Sequence, residues 1–370
     1  MNKDESTFIR ALDLASSAIG IVGPRPPVGA IVVNDGKIAG EGTTSPSPGP
    51  HAEITALRQA GACARGGTLY VTLEPCSHTG STPPCTMAIL ASGIARVVAH
   101  VVDPNPRVSG SGFKKLREEG VAVDRSASPE LKAKAERLIQ PFAKHVRTGR
   151  PLVTAKFAMS LDGKIATRTG NSRWITGPEA RKHVHRIRFE SEAIMVGIGT
   201  VLADDPMLTA RDENGNHSGR PRLRVIVDSN ARLPHDARLL GETGQILWAV
   251  EELPRSNPAK LPHVSVFKTP LGQGGLDLAT VLREVGDRGH TSLLVEGGGN
   301  LLGSLFDQRL VDRVAVFVAP KVIGGKQAPG PVAGRGIESL ADSLQIQDID
   351  IKHLGQDILI TGRVSEVHES

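Results

Sequence analysis

A histidine and a glutamate two residues apart, His51 and Glu53, stand in "PHAE" directly before the apolar-periodic run "ITALRQAG". The spacing of the apolar residues predicts a helix over 51–60. Neither polar residue serves a core. Taken alone, His51 is an ordinary surface histidine and Glu53 an acid favoured at a helix N-terminus by its charge. Residues 73–85, "LEPCSHTGSTPPC", change the weighing. A strand predicted over 68–75 halts at Pro75 and exposes Cys76 at its tip, and Cys85 opens the next helix, predicted over 84–92. Thiols held near helix starts lose their protons more readily. With His51 they form a soft donor set of two sulfurs and one nitrogen. Three protein ligands leave a fourth tetrahedral position for water, which is the arrangement of a catalytic zinc. Glu53, two residues past a ligand, then sits beside that water as a proton shuttle. H-x-E followed by P-C-x-x-C is the zinc-deaminase signature; here eight residues, rather than two, separate the cysteines.

Two blander readings stand beside this one. The cysteines could be buried small hydrophobes, or His78 could take the place of His51 or complete a structural site. Cys63, in "AGACARGG", is expected to be a small packed residue and not a ligand.

At 370 residues the chain exceeds what one core usually serves, so two domains are expected. The 41 glycines and 25 prolines suit the many short connections of an α/β architecture. Aromatics make up 3% of residues, too few for a platform on which single-stranded nucleic acid stacks. The net charge of +5 suits phosphorylated small molecules and nucleic acid alike and does not choose between them. Three cysteines cannot build a disulfide framework, so a reducing cytoplasm is expected. "MNKDESTFIRALDLASSA" lacks the continuous apolar centre of a signal peptide, and no apolar run reaches the length of a membrane span.

An amphipathic helix is predicted over 6–18, then a hairpin over 28–42 turning at Asn34-Asp35-Gly36-Lys37, since Asp-Gly supplies the positive φ of a tight turn. After the metal motif come a strand over 96–103, a helix over 112–119, a short strand over 121–124 and a charged helix over 129–146. "RTGRP" punctuates the chain, dividing it into domains over 1–146 and 151–368. The second domain opens with "LVTAKFAMSLDG". A helix over 178–191 and strands at 193–198, 223–228, 245–250 and 263–267 follow, then a helix over 276–286. A largely parallel sheet with antiparallel edges is expected, the terminal strands being antiparallel in character. "VEGGGNLLGSLF" (295–306) reads as strand, glycines and apolar helix, a turn through which a backbone can approach a phosphate. Alternation puts Lys156 on the strand face of Ala158 and Ser160. Asp162-Gly163 reads equally as site or simple turn.

The chain resembles, over nearly its whole length, the bifunctional riboflavin-biosynthesis deaminase–reductase family. "HAE", "YVTLEPCSHTG", "TPPC" and "DPNP" match its deaminase half; "SLDGKIA", "WITG", "TVLADDP", "VEGGG" and "APKVIGG" match its reductase half. The resemblance implies a cytidine-deaminase-like three-layer N-terminal domain acting on a ribosylaminopyrimidine phosphate. It also implies a dihydrofolate-reductase-like C-terminal domain that reduces the ribosyl chain to ribityl with NADPH. It gives zinc to His51, Cys76 and Cys85 and the proton to Glu53. It puts Ala158, Trp174, Thr200, Asp204, Ser229, Gly298, Gly299, Asn300 and Leu301 on the cofactor. Lys156, Ser172, Arg188, Leu208, Arg211 and Glu296 would meet the substrate. Arg188 and Arg211 suit a phosphate, which guanidinium binds bidentately; solvated surface arginines are the lesser alternative on the residues alone.

Three positions depart from the family pattern: Arg25 in "PRPPVG" where Asn is usual, Ser81 in place of a base, and Thr44 in place of a histidine. Arg25 is expected to restore the missing phosphate-binding charge. Expected partners are small phosphorylated pyrimidines, with no nucleic acid and no membrane, in a homo-oligomer (dimer or tetramer). Three rivals remain: a reductase whose deaminase domain has changed substrate, a nucleic-acid deaminase, and a zinc-stapled interaction module.

Overall fold

A computed structural model describes residues 3–365 apart from 80–82, 107, 126–127, 213, 218, 254–256 and 273. Ser81 and the end of the predicted second domain, 366–368, lie outside the described residues. The chain divides into two units, Met1–Gly149 and Arg150–Ser370.

The first unit runs α1 (Lys3–Ser17), β1 (Gly29–Asn34), β2 (Lys37–Thr43), α2 (Ala52–Ala60), β3 (Thr68–Val71), α3 (Cys85–Ala91), β4 (Arg96–Ala99), α4 (Ser111–Glu118), β5 (Ala122–Asp124) and α5 (Pro129–Thr148). Its sheet has the order β2-β1-β3-β4-β5, antiparallel at the hairpin and parallel from β3 to β5. Both faces are covered, and the period of two shows why. Ala30, Val32, Leu69, Val71, Val97 and Ala99 pack with Ala56 and Ile89 of α2 and α3, while the intervening Ile31, Tyr70 and Val98 pack with Ala11 of α1. The hairpin turns where predicted, with φ of 48° at Asp35 and 72° at Gly36. Strands β3 and β4 are shorter than predicted, ending at Val71 and Ala99. Beyond those points Leu73, Glu74 and Val101 stay buried and Glu74 N–H still donates to Val101 O at 2.9 Å, although the regular register of β3 and β4 ends at Val71 and Ala99. Glycine at 42 lets α2 lie on β2: a Cβ there would come within 2.2 Å of the Ala52 carbonyl oxygen.

The second unit runs β6 (Leu152–Ser160), α6 (Pro178–Glu190), β7 (Ala193–Gly197), α7 (Ile198–Asp204), β8 (Leu223–Val227), β9 (Ile246–Val250), β10 (Val264–Lys268), the small pair β11 (Leu271–Gly272) and β12 (Gly275–Leu276), and α8 (Leu278–Asp287). It continues through β13 (Ser292–Val295), α9 (Gly299–Asp307), β14 (Arg313–Ala319), β15 (Ile346–Leu354) and β16 (Asp357–Val364). The sheet order is β10-β9-β8-β7-β13-β6-β14-β16-β15. Every pairing from β10 to β14 is parallel; only β16 on β14 and β15 on β16 are antiparallel. The terminal segment is thus not antiparallel throughout, as its sequence suggested: β14 joins β6 in parallel. One face packs Val153, Met195, Val225 and Val295 against α8 and α9. The other packs Ile194, Ile226 and Trp248 with α7, and Phe317 with Ala180 of α6. Helix α7 and the β11–β12 pair were not anticipated. Among the described residues no helix is long and apolar enough to cross a membrane.

Asp357, buried at the start of β16, accepts a 2.7 Å hydrogen bond from the backbone N–H of Gly177, the N-cap of α6. The last strand therefore anchors the helix that carries Arg188.

Candidate functional sites

In the first unit, His51 is the N-cap residue of α2 and Glu53 lies in that helix's first turn. Cys85 is the first residue of α3. Cys76 does not begin a helix, as the sequence suggested. It lies half-buried in the loop after β3, and the N–H of Cys85 donates to its sulfur at 3.3 Å. The benefit of a helix start reaches Cys76 across space. His51 Nδ1 stands 3.3 Å from Cys85 Sγ and 3.7 Å from Cys76 Sγ, and the three donor atoms lie within 4.8 Å of one another. Zinc with bonds of about 2.3 Å to sulfur and about 2.0 Å to nitrogen puts tetrahedral N and S ligands about 3.5 Å apart. The soft donor set and its spacing fit that ion.

Electrostatics agree with the geometry. A hydrogen bond from Cys85 first, and then His51, hold the Cys76 thiol well below the ordinary thiol range against the opposing effect of burial. The same contact with Cys76 and burial push Cys85 up, so the pair shares one proton that a bound cation would displace. Glu53 is 4% exposed, and burial raises its carboxyl above the usual range, with Cys76 adding to the effect. His78 is exposed and outside the cluster. Cys63, expected to be packed, is exposed in a turn after α2; it is still no ligand.

Of the departures from the family pattern, Thr44 is buried, its hydroxyl donating to Pro26 O and accepting from Val28 N–H. Arg25 Nη1 donates to Gly49 O at 2.6 Å and Ser45 O at 3.3 Å, clasping the loop that leads into His51. The contact with Cys76 raises the His51 pKa, and burial and the nearby Arg25 charge only partly oppose it.

In the second unit a cleft of 1330 Å³ opens at the carboxyl ends of the parallel strands, where α/β sheets bind ligands. Small-molecule sites are usually about 300–1,000 Å³, so this one has room for two ligands together. The wall comes from Lys156 and Ala158 of β6, Thr200 and Asp204 of α7, and Ser229 after β8. Glu296, Gly298, Gly299, Asn300 and Leu301, at the β13–α9 turn, complete it. Ser172, Trp174, Arg188, Leu208 and Arg211 line the same cleft. Gly297 turns with φ of 93° and Gly298 caps α9, so the helix N-terminus faces the opening. Asp228, fully buried, accepts from Trp248 Nε1 and Leu233 N–H and so fixes the turn that carries Ser229. Trp174 is 65% exposed, with the Arg181 guanidinium 4.7 Å from its ring centre. Asp162 accepts from Ser160 Oγ and from the N–H groups of Ile323 and Gly324; it is a structural turn.

Arg188 is no surface arginine. Its Nε and Nη2 meet Glu296 Oε1 and Oε2 at 2.5 and 2.9 Å, and Nη1 donates to Thr209 O. Lys156 Nζ lies 3.7 Å from the same carboxylate. Burial alone would raise Glu296, but the two cations outweigh it and hold the carboxyl at about 2. Arg211 binds Gly215 O and touches Met207 Sδ at the rim. His185, which the sequence did not single out, lines the cleft one turn before Arg188, with Nδ1 3.2 Å from Thr209 O. Glu74, inside a quoted motif yet unremarked, proves to be a buried hub in the first unit.

Fold and sites define a two-part enzyme, a zinc aminohydrolase unit followed by a nucleotide-dependent reductase unit. Residues 1–101 match the cytidine and deoxycytidylate deaminase zinc-binding region, and residues 151–360 match the RibD C-terminal domain. The riboflavin biosynthesis protein RibD of Escherichia coli (strain K12) is 40% identical over 97% of this chain and 98% of its own. That of Aquifex aeolicus is also 40% identical, over 96% and 97%. Among solved structures, Acinetobacter baumannii RibD superposes with a TM-score of 0.87 at 34% identity, covering 98% of this chain and 99% of its own. The Thermotoga maritima diaminohydroxyphosphoribosylaminopyrimidine deaminase/5-amino-6-(5-phosphoribosylamino)uracil reductase gives 0.84 at 35%, with the same coverage. The chain belongs to this bifunctional family of riboflavin biosynthesis.

Proposed function

We propose that the first unit deaminates the diaminopyrimidine ribosyl phosphate named in its relatives' activity, and that the second reduces the product's ribosyl chain to ribityl with NADPH. The observation that carries this reading is the convergence of His51, Cys76 and Cys85 beside the buried carboxyl of Glu53. Zinc, when bound by those three residues, supplies an acidified water as nucleophile. Glu53 would take up a proton on its carboxylate as the nucleophile adds and would deliver it to the departing amine nitrogen, which leaves as ammonia. In the second unit NADPH supplies the hydride. The protein's part is positioning: Gly298 to Leu301 offer backbone N–H donors to its phosphates, and Ala158, Trp174, Thr200, Asp204 and Ser229 frame it. Lys156 presents its ammonium to the sugar, where developing charge on oxygen is stabilised. Arg211 and Ser172 take the substrate phosphate, and Arg188 keeps Glu296 ionised and aimed. The reading includes cytoplasmic action and a homo-oligomer; Ile349 and Ile351, exposed on the outermost strand β15, support self-association, which sedimentation tests.

Purified protein loaded with zinc is expected to release ammonia from the diaminopyrimidine ribosyl phosphate without NADPH. Chelation should stop release and zinc should restore it. Consumption of NADPH on the deaminated compound, with no release at any zinc level, would leave the second unit alone in the pathway.

Arg25 favours one further reading, a first unit of altered substrate recognition. Because its guanidinium lies beside the His51 loop, Arg25→Ala is expected to raise the KM for the phosphorylated substrate by about ten-fold or more, the worth of a charge-assisted bond. An unchanged KM would restrict Arg25 to bracing the loop.

A further inference from the structure

The loop that carries Cys76 is gripped by two helix starts. On one side α3 donates through Cys85 N–H to Cys76 Sγ and through Thr86 N–H to Cys76 O, at 3.3 and 3.2 Å. On the other side stands Glu74, two residues before the sulfur and 3% exposed. Its Oε2 accepts from Asp103 N–H at 3.0 Å and Gly110 N–H at 2.9 Å. Its Oε1 accepts from Gly112 N–H at 2.8 Å and Phe113 N–H at 3.3 Å.

Gly110 is the N-cap of α4 and has no side chain with which to cap it. Three of the four donors belong to that cap and first turn, so the Glu74 carboxylate caps α4 from a distant part of the chain. A carboxylate suits a helix N-terminus both as acceptor and as charge. The approach is close: a Cβ on Gly112 would stand 2.0 Å from Pro75 O, the residue between Glu74 and Cys76. Ser77 and Ser111 close the same seam, their hydroxyl oxygens 2.6 Å apart. Residues 74–77 are therefore fastened to α4 on both sides of the sulfur.

We propose that Glu74 is a positioning residue of the metal centre: by capping α4 it fixes the 74–77 turn and sets where Cys76 Sγ stands relative to His51 and Cys85. The inference rests on the zinc reading above. A buried carboxylate that accepts four N–H bonds has no neutral substitute, since an amide turns one acceptor into a donor facing N–H groups. Groups that orient ligands typically cost about 10–100-fold in metal affinity when replaced.

The test uses the full chain as parent, Glu74→Gln and Ser111→Ala. Zinc transfer to a chromophoric chelator, the absorption of the cobalt(II)-loaded protein, and melting with and without zinc are measured, with NADPH-dependent reduction as the internal control. Glu74→Gln is expected to release zinc about ten-fold faster or more, to alter the cobalt thiolate bands, and to shrink the rise in Tm that zinc confers. Ser111→Ala, which removes only one bond of the seam, should release zinc a few-fold faster with an unchanged zinc-free Tm. Reduction should be the same in all three. Equal loss of Tm with and without zinc, at a parental release rate, would mean that Glu74 only holds the fold, and would overturn the proposal. If Glu74→Gln does not fold, parental zinc release by Ser111→Ala overturns it. A parent that binds no zinc would instead overturn the zinc reading itself, and this inference with it.

Discussion

Glu53→Gln is expected to cut ammonia release by about a hundred- to ten-thousand-fold, the usual worth of a general acid–base group, and to leave the NADPH-dependent step at its parental rate. The side chains are nearly isosteric, and Glu53 lies in the first turn of α2 among Ala52 and Ala56, so the fold has little to notice. What changes is the proton. Burial raises the Glu53 pKa, so the carboxylate takes up a proton more readily than a solvated one and can pass it on; an amide cannot cycle. Zinc content should stay parental, because Glu53 is not among the three converging donors. Release at the parental rate in this variant would remove Glu53 from the chemistry.

Arg188→Leu is the second large effect, and it falls on the other unit. Removing one partner of a buried ion pair usually costs about 3–5 kcal/mol, because the other charge is left behind. Among the described residues, Glu296 would keep the 3.7 Å contact with Lys156. The second unit should melt earlier, reduction should fall steeply, and deamination should be unaffected. The pH dependence gives an independent check. In the parent the Glu296 pKa is depressed to about 2, so its stabilising contribution is complete above the unfolded value near 4.3 and is lost as pH falls towards 2. Without Arg188, burial dominates and raises that pKa. The acid loss then shrinks or reverses, and the destabilisation relative to the parent narrows as pH falls. Arg188→Leu combined with Glu296→Leu should cost less than the two single changes together; strict additivity would mean that the residues are not coupled.

The metal centre was legible in the sequence because its chemistry is carried by rare residue types in a short pattern. His51, Glu53, Cys76 and Cys85 stand out against a background that offers them no core role. Glu74 was not legible: a lone acid before Pro75 looks like any other, and its four partners lie near residues 103–113, a proximity that only the β3–β4 pairing creates. In the second unit the alternation of apolar runs with helical stretches gave the parallel sheet. It could not give the order of strands, which places β13 between β7 and β6 and so brings Glu296 to Lys156. Arginines were the hardest to read. Arg188 and Arg211 look alike in sequence, yet one is paired inside the cleft and the other lies at its rim. Strand ends were missed where buried residues such as Leu73 and Val101, and the bond from Glu74 N–H to Val101 O, continue past the regular strands.

The bond from Gly177 to Asp357 also sets a timetable. The helix that presents Arg188 receives its N-terminal anchor from the last strand, so the second cleft is completed only when the chain has been made to that point. The first unit has its whole sheet by Asp124 and its last helix by Thr148. At about 5–20 residues per second on a ribosome, the wait between the two is on the order of 10–40 s. During each round of synthesis the nascent protein can therefore take up its metal well before it has finished the pocket for its nucleotide.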